Sequence, residues 1–348
     1  MKIALLNLPI DNNYGGNLQR YALIKVLQDM GHDVEHVQLK SISKHSWTTL
    51  FRIIKRLIVR ITNPNQEILI ERNRKNRIKE ILPFYNRYIP HSDKEYDANN
   101  IHELCDYDAY IVGSDQVWRK VIAKKNLPIL FLNFISDKKK VKLAYSVSFG
   151  SDINELNDLE LKQYGNLYSQ FDAVSVRELS GLDLIKSYGW LSPKPIQLLD
   201  PTFLLSINNY KCLISNNRTL QSKGDLFCYL LDPSFDKFEK VREIASSKGL
   251  APFYCTLKDH LSIEQWLKSF NDAKFVITDS YHGMVFSLIF NKPFYLFRNE
   301  KRGNSRFDTL FSLFEINDTE HINWDNINKT IAQKRSLSIS FLNNNLIL

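Results

Sequence analysis

Thr278-Asp279-Ser280-Tyr281-His282-Gly283 sets a single histidine between an apolar run, Phe275-Val276-Ile277, and the apolar stretch 284–290. That order reads as a strand, a cap and a helix. A helix start just beyond a strand offers backbone N–H groups and the positive end of the helix dipole, which suits an anion. An imidazole with an ordinary pKa of about 6.5 can give or take a proton there with little adjustment. The expectation is that His282 works on a phosphate-bearing donor, with Ser280 and Tyr281 beside it. The plainer alternative makes Tyr281 and His282 core residues at a helix start. Asp279 is a base or a helix cap, and the cap is favoured.

Three other places could take part. Gly113-Ser114-Asp115-Gln116-Val117-Trp118 follows the apolar run 107–112. Asp115 can accept hydroxyl hydrogen bonds while Trp118 offers a flat apolar face, so the stretch is a sugar site with Ser114, or else a turn and a core tryptophan. Arg177 closes the run 172–176 and is either a bidentate clamp on an anion or the partner of Glu178 or another acid. The loop 9–16 carries Tyr14, Gly15 and Gly16, with Asn17 next, where open α/β sheets place ligands. It lacks the spaced glycines of a dinucleotide fingerprint. His32-Asp33-Val34-Glu35-His36 has the HxxEH spacing of some zinc sites but falls on a strand, where neighbouring positions diverge, so no metal site is expected.

The elements that must position these residues alternate along the chain. Residues 2–8 form a strand and 17–30 a helix stopped by Gly31; further strands fall at 34–39, 107–112, 141–147, 172–176 and 195–199. The polar stretch 206–224 reads as a break. Strands at 226–231, 252–254, 275–278 and 294–297 then alternate with helices at 235–247, 263–270, 281–290 and 306–314. Such alternation implies parallel sheets with right-handed crossovers. The fold class expected is α/β, with two Rossmann-like domains facing a cleft. The domains are residues 1–200 on the acceptor side, with a basic helical insertion at about 47–82, and 201–322 on the donor side. Residues 323–348 make a C-terminal helix or tail.

Composition narrows the class. A chain of 348 residues that is 44% hydrophobic can bury real cores, and no apolar run reaches the roughly 20 residues that span a bilayer. A cytoplasmic protein is expected. Its four cysteines, 105, 212, 228 and 255, are too scattered for a CxxC pair or a disulfide framework, so reduced and mostly buried thiols are expected. The net charge of +8 points to an anionic partner, and no nucleic-acid-binding signature accompanies it. Basic residues at 52, 55, 56 and 60 set against apolar ones, and again at 72, 74, 75, 77 and 79, fit peripheral contact with an anionic inner membrane face. A solvated surface helix pair is the favoured alternative.

Taken in order, Asn13-Tyr14-Gly15-Gly16 with Leu18-Gln19, the segments 113–118 and 145–150, Val174-Ser175-Val176-Arg177-Glu178, Asp200-Pro201-Thr202 and the segment 278–283 resemble the polysaccharide pyruvyl transferase family over about residues 1–315. The resemblance implies a GT-B-like fold, phosphoenolpyruvate as donor, and a saccharide that receives pyruvate as a ketal in cell-surface or exopolysaccharide biosynthesis. It implies that His282 is catalytic and that Arg177 contacts the donor. Characterised members look like Ser-Arg-Leu-His at the last motif, and Ser280 stands where they carry arginine. Arg302 and Arg306 are the candidates to neutralise the donor instead. Asp115 is the candidate base, and Tyr14, Gly15, Gly16, Asn17, Ser114 and Trp118 are the acceptor side. No cofactor is implied, since phosphoenolpyruvate is a co-substrate, and the acceptor is lipid-linked, nucleotide-linked or a polymer. The rivals are a nucleotide-sugar glycosyltransferase of the same architecture and a non-catalytic saccharide-binding protein.

Overall fold

Aliphatic and β-branched runs that end in glycine, proline or polar clusters fold as strands, and the amphipathic stretches between them cross over as helices. The computed structural model describes residues 1–41, 54–58, 70–215, 221–298 and 304–347. In chain order the main elements begin with β1 (Lys2–Leu6), α1 (Tyr14–Asp29), β2 (Asp33–Val37), α2 (Ile70–Tyr88), β3 (Ala109–Val112) and β4 (Val141–Val147). There follow α3 (Asp158–Tyr168), β5 (Ala173–Val176), α4 (Leu179–Ser187), β6 (Ile196–Gln197), α5 (Ile207–Ser215) and β7 (Leu226–Tyr229). The chain ends with α6 (Phe235–Lys248), β8 (Pro252–Cys255), α7 (Ile263–Asp272), β9 (Phe275–Thr278), α8 (Tyr281–Ile289), β10 (Phe294–Leu296), α9 (Ser305–Leu313) and α10 (Trp324–Asn345).

Two units result. The first comprises Met1–Lys40, Tyr85–Ser206 and Asn299–Leu348; the second comprises Ser41–Phe84 and Ile207–Arg298. The first holds a six-stranded sheet in the order β2-β1-β3-β4-β5-β6, parallel throughout. The second holds a four-stranded parallel sheet in the order β10-β9-β7-β8. Strand order reverses between β1 and β3 in one sheet and between β7 and β9 in the other. Ligands of open α/β sheets sit beyond the carboxyl ends of such strand pairs.

The unit boundaries correct the sequence reading in two places. Residues 70–84 belong with the second unit rather than being an insertion in the first, because the buried guanidinium of Arg77 donates to the carbonyl oxygens of Thr256 and Asp259, the latter at 3.1 Å. Residues 304–347 belong with the first unit. There Arg335 of α10 donates to the carbonyls of Phe203 (2.8 Å) and Leu205 (2.9 Å), and Leu199 N–H donates to Ser338 Oγ at 3.3 Å. The polar stretch after 206 is not a linker throughout, since α5 fills its first half. The cysteines are free, as expected, but only Cys228 and Cys255 are buried; burial pushes the Cys228 thiol up to about 12.

Strand β2 turns His36 into the core of the first unit, with Nδ1 2.7 Å from the Tyr85 hydroxyl oxygen. Burial, and then the charges of Arg20 and His91, hold this imidazole well below its usual range. The unfolded chain therefore binds a proton at His36 where the folded chain does not. Stability is complete above about pH 6.5 and declines as the pH drops toward the folded value, with a slope of up to about 1.4 kcal/mol per pH unit. Denaturant unfolding of the wild type and of His36→Gln should show a steeper slope in the wild type, with the smaller remainder in the variant coming from His32, which burial and the N-terminal charge also lower. An equal slope in both proteins would place the titrating group elsewhere.

Candidate active site

In the second unit the turn from β9 to α8 is built as its sequence suggests. Phe275–Thr278 is fully buried in the middle of the sheet, and Thr278 Oγ1 donates to the Tyr229 carbonyl (2.8 Å) while accepting from Ser280 N–H (3.1 Å). Ser280 is the N-cap of α8 in extended conformation and makes no side-chain cap. His282 is the second residue of the helix, 6% exposed, with its ring edge-on to Tyr281 at 5.2 Å between centroids. Gly283 is required by the packing. A Cβ there would overlap Thr278 Oγ1 and stand 2.8 Å from Thr278 Cβ, so only glycine lets the first helical turn close over the strand.

Asp279 is not the helix cap that its sequence favours. Its buried carboxylate accepts from Leu231 N–H (2.6 Å), Asp232 N–H (3.0 Å) and Lys237 Nζ (2.5 Å). It staples the end of β9 to the chain leaving β7, at the point where strand order reverses, and Lys237 neutralises it. That occupation leaves it no capping bond to its own helix and disfavours it as a base.

In the first unit the turn after β3 carries the other candidate acid. Gly113 has φ 127° and no room for a side chain, since a Cβ would overlap the Tyr145 carbonyl oxygen. Asp115 is left-handed at φ 74°, a region that aspartate enters more readily than most residues. Its carbonyl accepts from Val117 N–H (2.7 Å) and Ser148 N–H (2.9 Å), which ties the turn to the end of β4. Its carboxylate is reached by Asn13 Nδ2 (3.4 Å) and Arg177 Nη2 (3.5 Å).

Arg177 is the centre of this arrangement. Its side chain is 1% exposed, and its three nitrogens each face a different carboxylate: Glu178 at 3.2 Å, Asp200 at 3.3 Å and Asp115 at 3.5 Å. Ser148 donates to Glu178, Gln19 donates to Asp200 and Ser114, and Thr202 N–H donates to Asp200 at 3.0 Å. Of the three carboxylates only that of Asp115 keeps contact with solvent, at 10% side-chain exposure against 2% and 0%. Asn13 is itself aligned from behind, since its carbonyl accepts from Asn17 Nδ2 (2.8 Å) and Asn17 accepts from Arg20 (2.7 Å).

Several residues expected at the site stand elsewhere. Trp118 is core: it is 1% exposed, stacks on Phe131 at 4.7 Å and donates through Nε1 to the Leu130 carbonyl at 2.9 Å, so no sugar can lie on its face. Tyr14, Gly15, Gly16 and Asn17 are the buried first turn of α1 rather than an open loop. Ser114 is buried and donates to the Ser146 carbonyl at 2.7 Å. Arg177 meets acids, where the sequence leaves open an anionic ligand. Arg306 lies on α9 of the first unit, which packs on α4 through Leu179 N–H to Thr309 Oγ1 (3.3 Å); Arg302 lies outside the described residues. The HxxEH residues diverge on β2, with Glu35 accepting from Tyr107 while His36 meets Tyr85. Among the described residues no group of three or more His, Cys, Asp or Glu is placed to hold a metal ion. Gln19, Asn13 and Asp200 were not identifiable as members of the Asp115 network, although all three stand inside the short motifs quoted above.

Residues 13–301 match the family described as polysaccharide pyruvyl transferase. The chain belongs to that family. The match takes in both turns, from Asn13 and Asp115 to His282. Among curated proteins none matches the sequence. Solved structures do. A Listeria monocytogenes protein taken to be a UDP-N-acetylglucosamine 2-epimerase has 9% identity and a TM-score of 0.50, over 97% of this chain and 90% of that one. Anabaena HepE, solved with UDP and glucose, has 11% identity and a TM-score of 0.49 over 99% of both chains. UDP-GlcNAc 2-epimerase of Methanocaldococcus jannaschii, in complex with UDP-GlcNAc and UDP, has 10% identity and a TM-score of 0.48, over 96% and 93%. At such identities likeness speaks of fold alone, which is α/β with two Rossmann-like units of GT-B type.

Proposed function

We propose that this member of the family transfers pyruvate from phosphoenolpyruvate to two hydroxyls of a saccharide, closing a cyclic ketal, in the building of a cell-surface or exported polysaccharide. The observation that carries the reading is the family match from residue 13 to 301, which includes His282 and Asp115, each beyond the carboxyl end of a strand where strand order reverses. In this reading His282 protonates the methylene carbon of the donor, which leaves C2 electrophilic. A saccharide oxygen bonds to C2 as its proton passes to a general base. The bond from C2 to the phosphate oxygen breaks, inorganic phosphate leaves, and the second hydroxyl closes the ring with loss of its proton. No cofactor is required, since the donor is a co-substrate.

Arg177 is assigned to holding Asp115 rather than to the donor, because its nitrogens already face three carboxylates. Ser280 carries no charge where the resemblance implies an arginine, so the donor's anionic groups are left to the backbone N–H groups at the start of α8. The test is incubation with phosphoenolpyruvate and a panel of free, nucleotide-linked and lipid-linked saccharides, reading phosphate release and a pyruvyl mass gain on one sugar. In parallel, phosphoenolpyruvate should raise the melting temperature as a ligand of the native state does, by RT ln(1 + [L]/Kd). Stabilisation by UDP alone, with no phosphate release from any mixture, would overturn the proposal in favour of a nucleotide-sugar enzyme.

A further inference from the structure

Residues 54–58 of the second unit are helical and leave Ile54, Leu57 and Ile58 in solvent, at 48%, 49% and 61% exposure. Positions 54, 57 and 58 share one face of a helical turn, so three branched aliphatic side chains stand together in water. Arg56 fastens this turn to the start of α2 through a two-pronged pair with Glu71, at 2.6 and 3.0 Å. On α2, Arg72, Lys75 and Lys79 are exposed and share a face at spacings of three and four. Residues 54–58 and 70–84 carry seven basic and two acidic side chains, a net +5, against +8 for the whole chain.

An exposed apolar ridge beside a concentrated positive stripe has a cost in water that burial in a partner would remove. Phosphates answer the stripe, but only a partner with an apolar phase answers the ridge. Nucleic acid supplies the first without the second. Its bases would call for aromatic platforms, and Phe84, the aromatic side chain of these stretches, is buried. We infer that this surface docks on an anionic lipid bilayer, with Ile54, Leu57 and Ile58 entering the interface and Arg72, Lys75 and Lys79 facing the headgroups. The docking surface stands whether or not the chain uses phosphoenolpyruvate.

Flotation of the full-length chain with vesicles of phosphatidylcholine, with and without phosphatidylglycerol, tests this. The wild type should float with the anionic vesicles only, and less as salt is raised. Replacing Arg72, Lys75 and Lys79 together by Gln should weaken partition on the order of a hundredfold, and Leu57→Ser with Ile58→Ser roughly tenfold or more. The melting temperature should hold in both, because the altered side chains are exposed. Phosphate release with a free saccharide, measured on the same preparations, should also be unchanged in the variants, which separates failure of docking from failure of transfer. Equal flotation with neutral vesicles, wild-type flotation of either variant, or binding to a duplex RNA without binding to vesicles would each overturn the inference.

Discussion

Replacing His282 by alanine is expected to lower the turnover number by roughly 10²- to 10⁴-fold, the range for loss of a positioned general acid, with the donor KM much less affected. The geometry behind this is the β9–α8 turn, which holds the imidazole at the second position of the helix with 6% exposure. His282→Gln should be nearly as slow as the alanine variant, because an amide offers a hydrogen bond but no transferable proton. A melting temperature close to that of the wild type would separate lost chemistry from lost fold. Near-normal turnover in either variant would sink the assignment.

Replacing Arg177 by Gln is expected to cost about 3–5 kcal/mol of stability, the range for breaking a buried charge pair by removing one partner. Three carboxylates converge on this guanidinium, and two of them, Glu178 and Asp200, have essentially no solvent contact. Without the cation they repel one another at low effective dielectric. Adding Glu178→Gln to Arg177→Gln should recover part of the loss, since it removes one of the stranded charges; residues in one network are not additive. Arg177→Lys should fall between, because an ammonium is a point charge and cannot face three separated acids as a planar fork does. Denaturant unfolding measures all three. A loss under about 1 kcal/mol in Arg177→Gln, together with a raised donor KM, would return Arg177 to the role of donor clamp.

The alternation of strands and helices was legible because its signals are local. Phe275–Thr278 announces a buried strand by β-branching and length, and Gly31 stops its helix, both within a few residues of the event. Parallel sheets followed from that alternation. The start of α1 was less legible: Gly15 and Gly16 read as loop because glycine is a poor helix former, yet both are buried in the first helical turn, where packing outweighs propensity. Unit membership was hidden altogether for 70–84, because Arg77 finds its carbonyl partners about 180 residues further on.

By itself the sequence determined the order of elements, the two turns that bear His282 and Asp115, and a set of ordered motifs that resembled the family the chain belongs to. These depend on residue type and short spacing, which are properties of the chain before it folds. Only the tertiary structure decided what each charged or aromatic side chain meets. Trp118 found Phe131 and the Leu130 carbonyl, Asp279 found Lys237 and two N–H groups beyond β7, and Arg177 found acids 62 and 23 residues away as well as its neighbour. The reason is that removal from water compels polar groups to pair with whatever the sheets bring within reach, and the reach is set by strand order, not by distance along the chain.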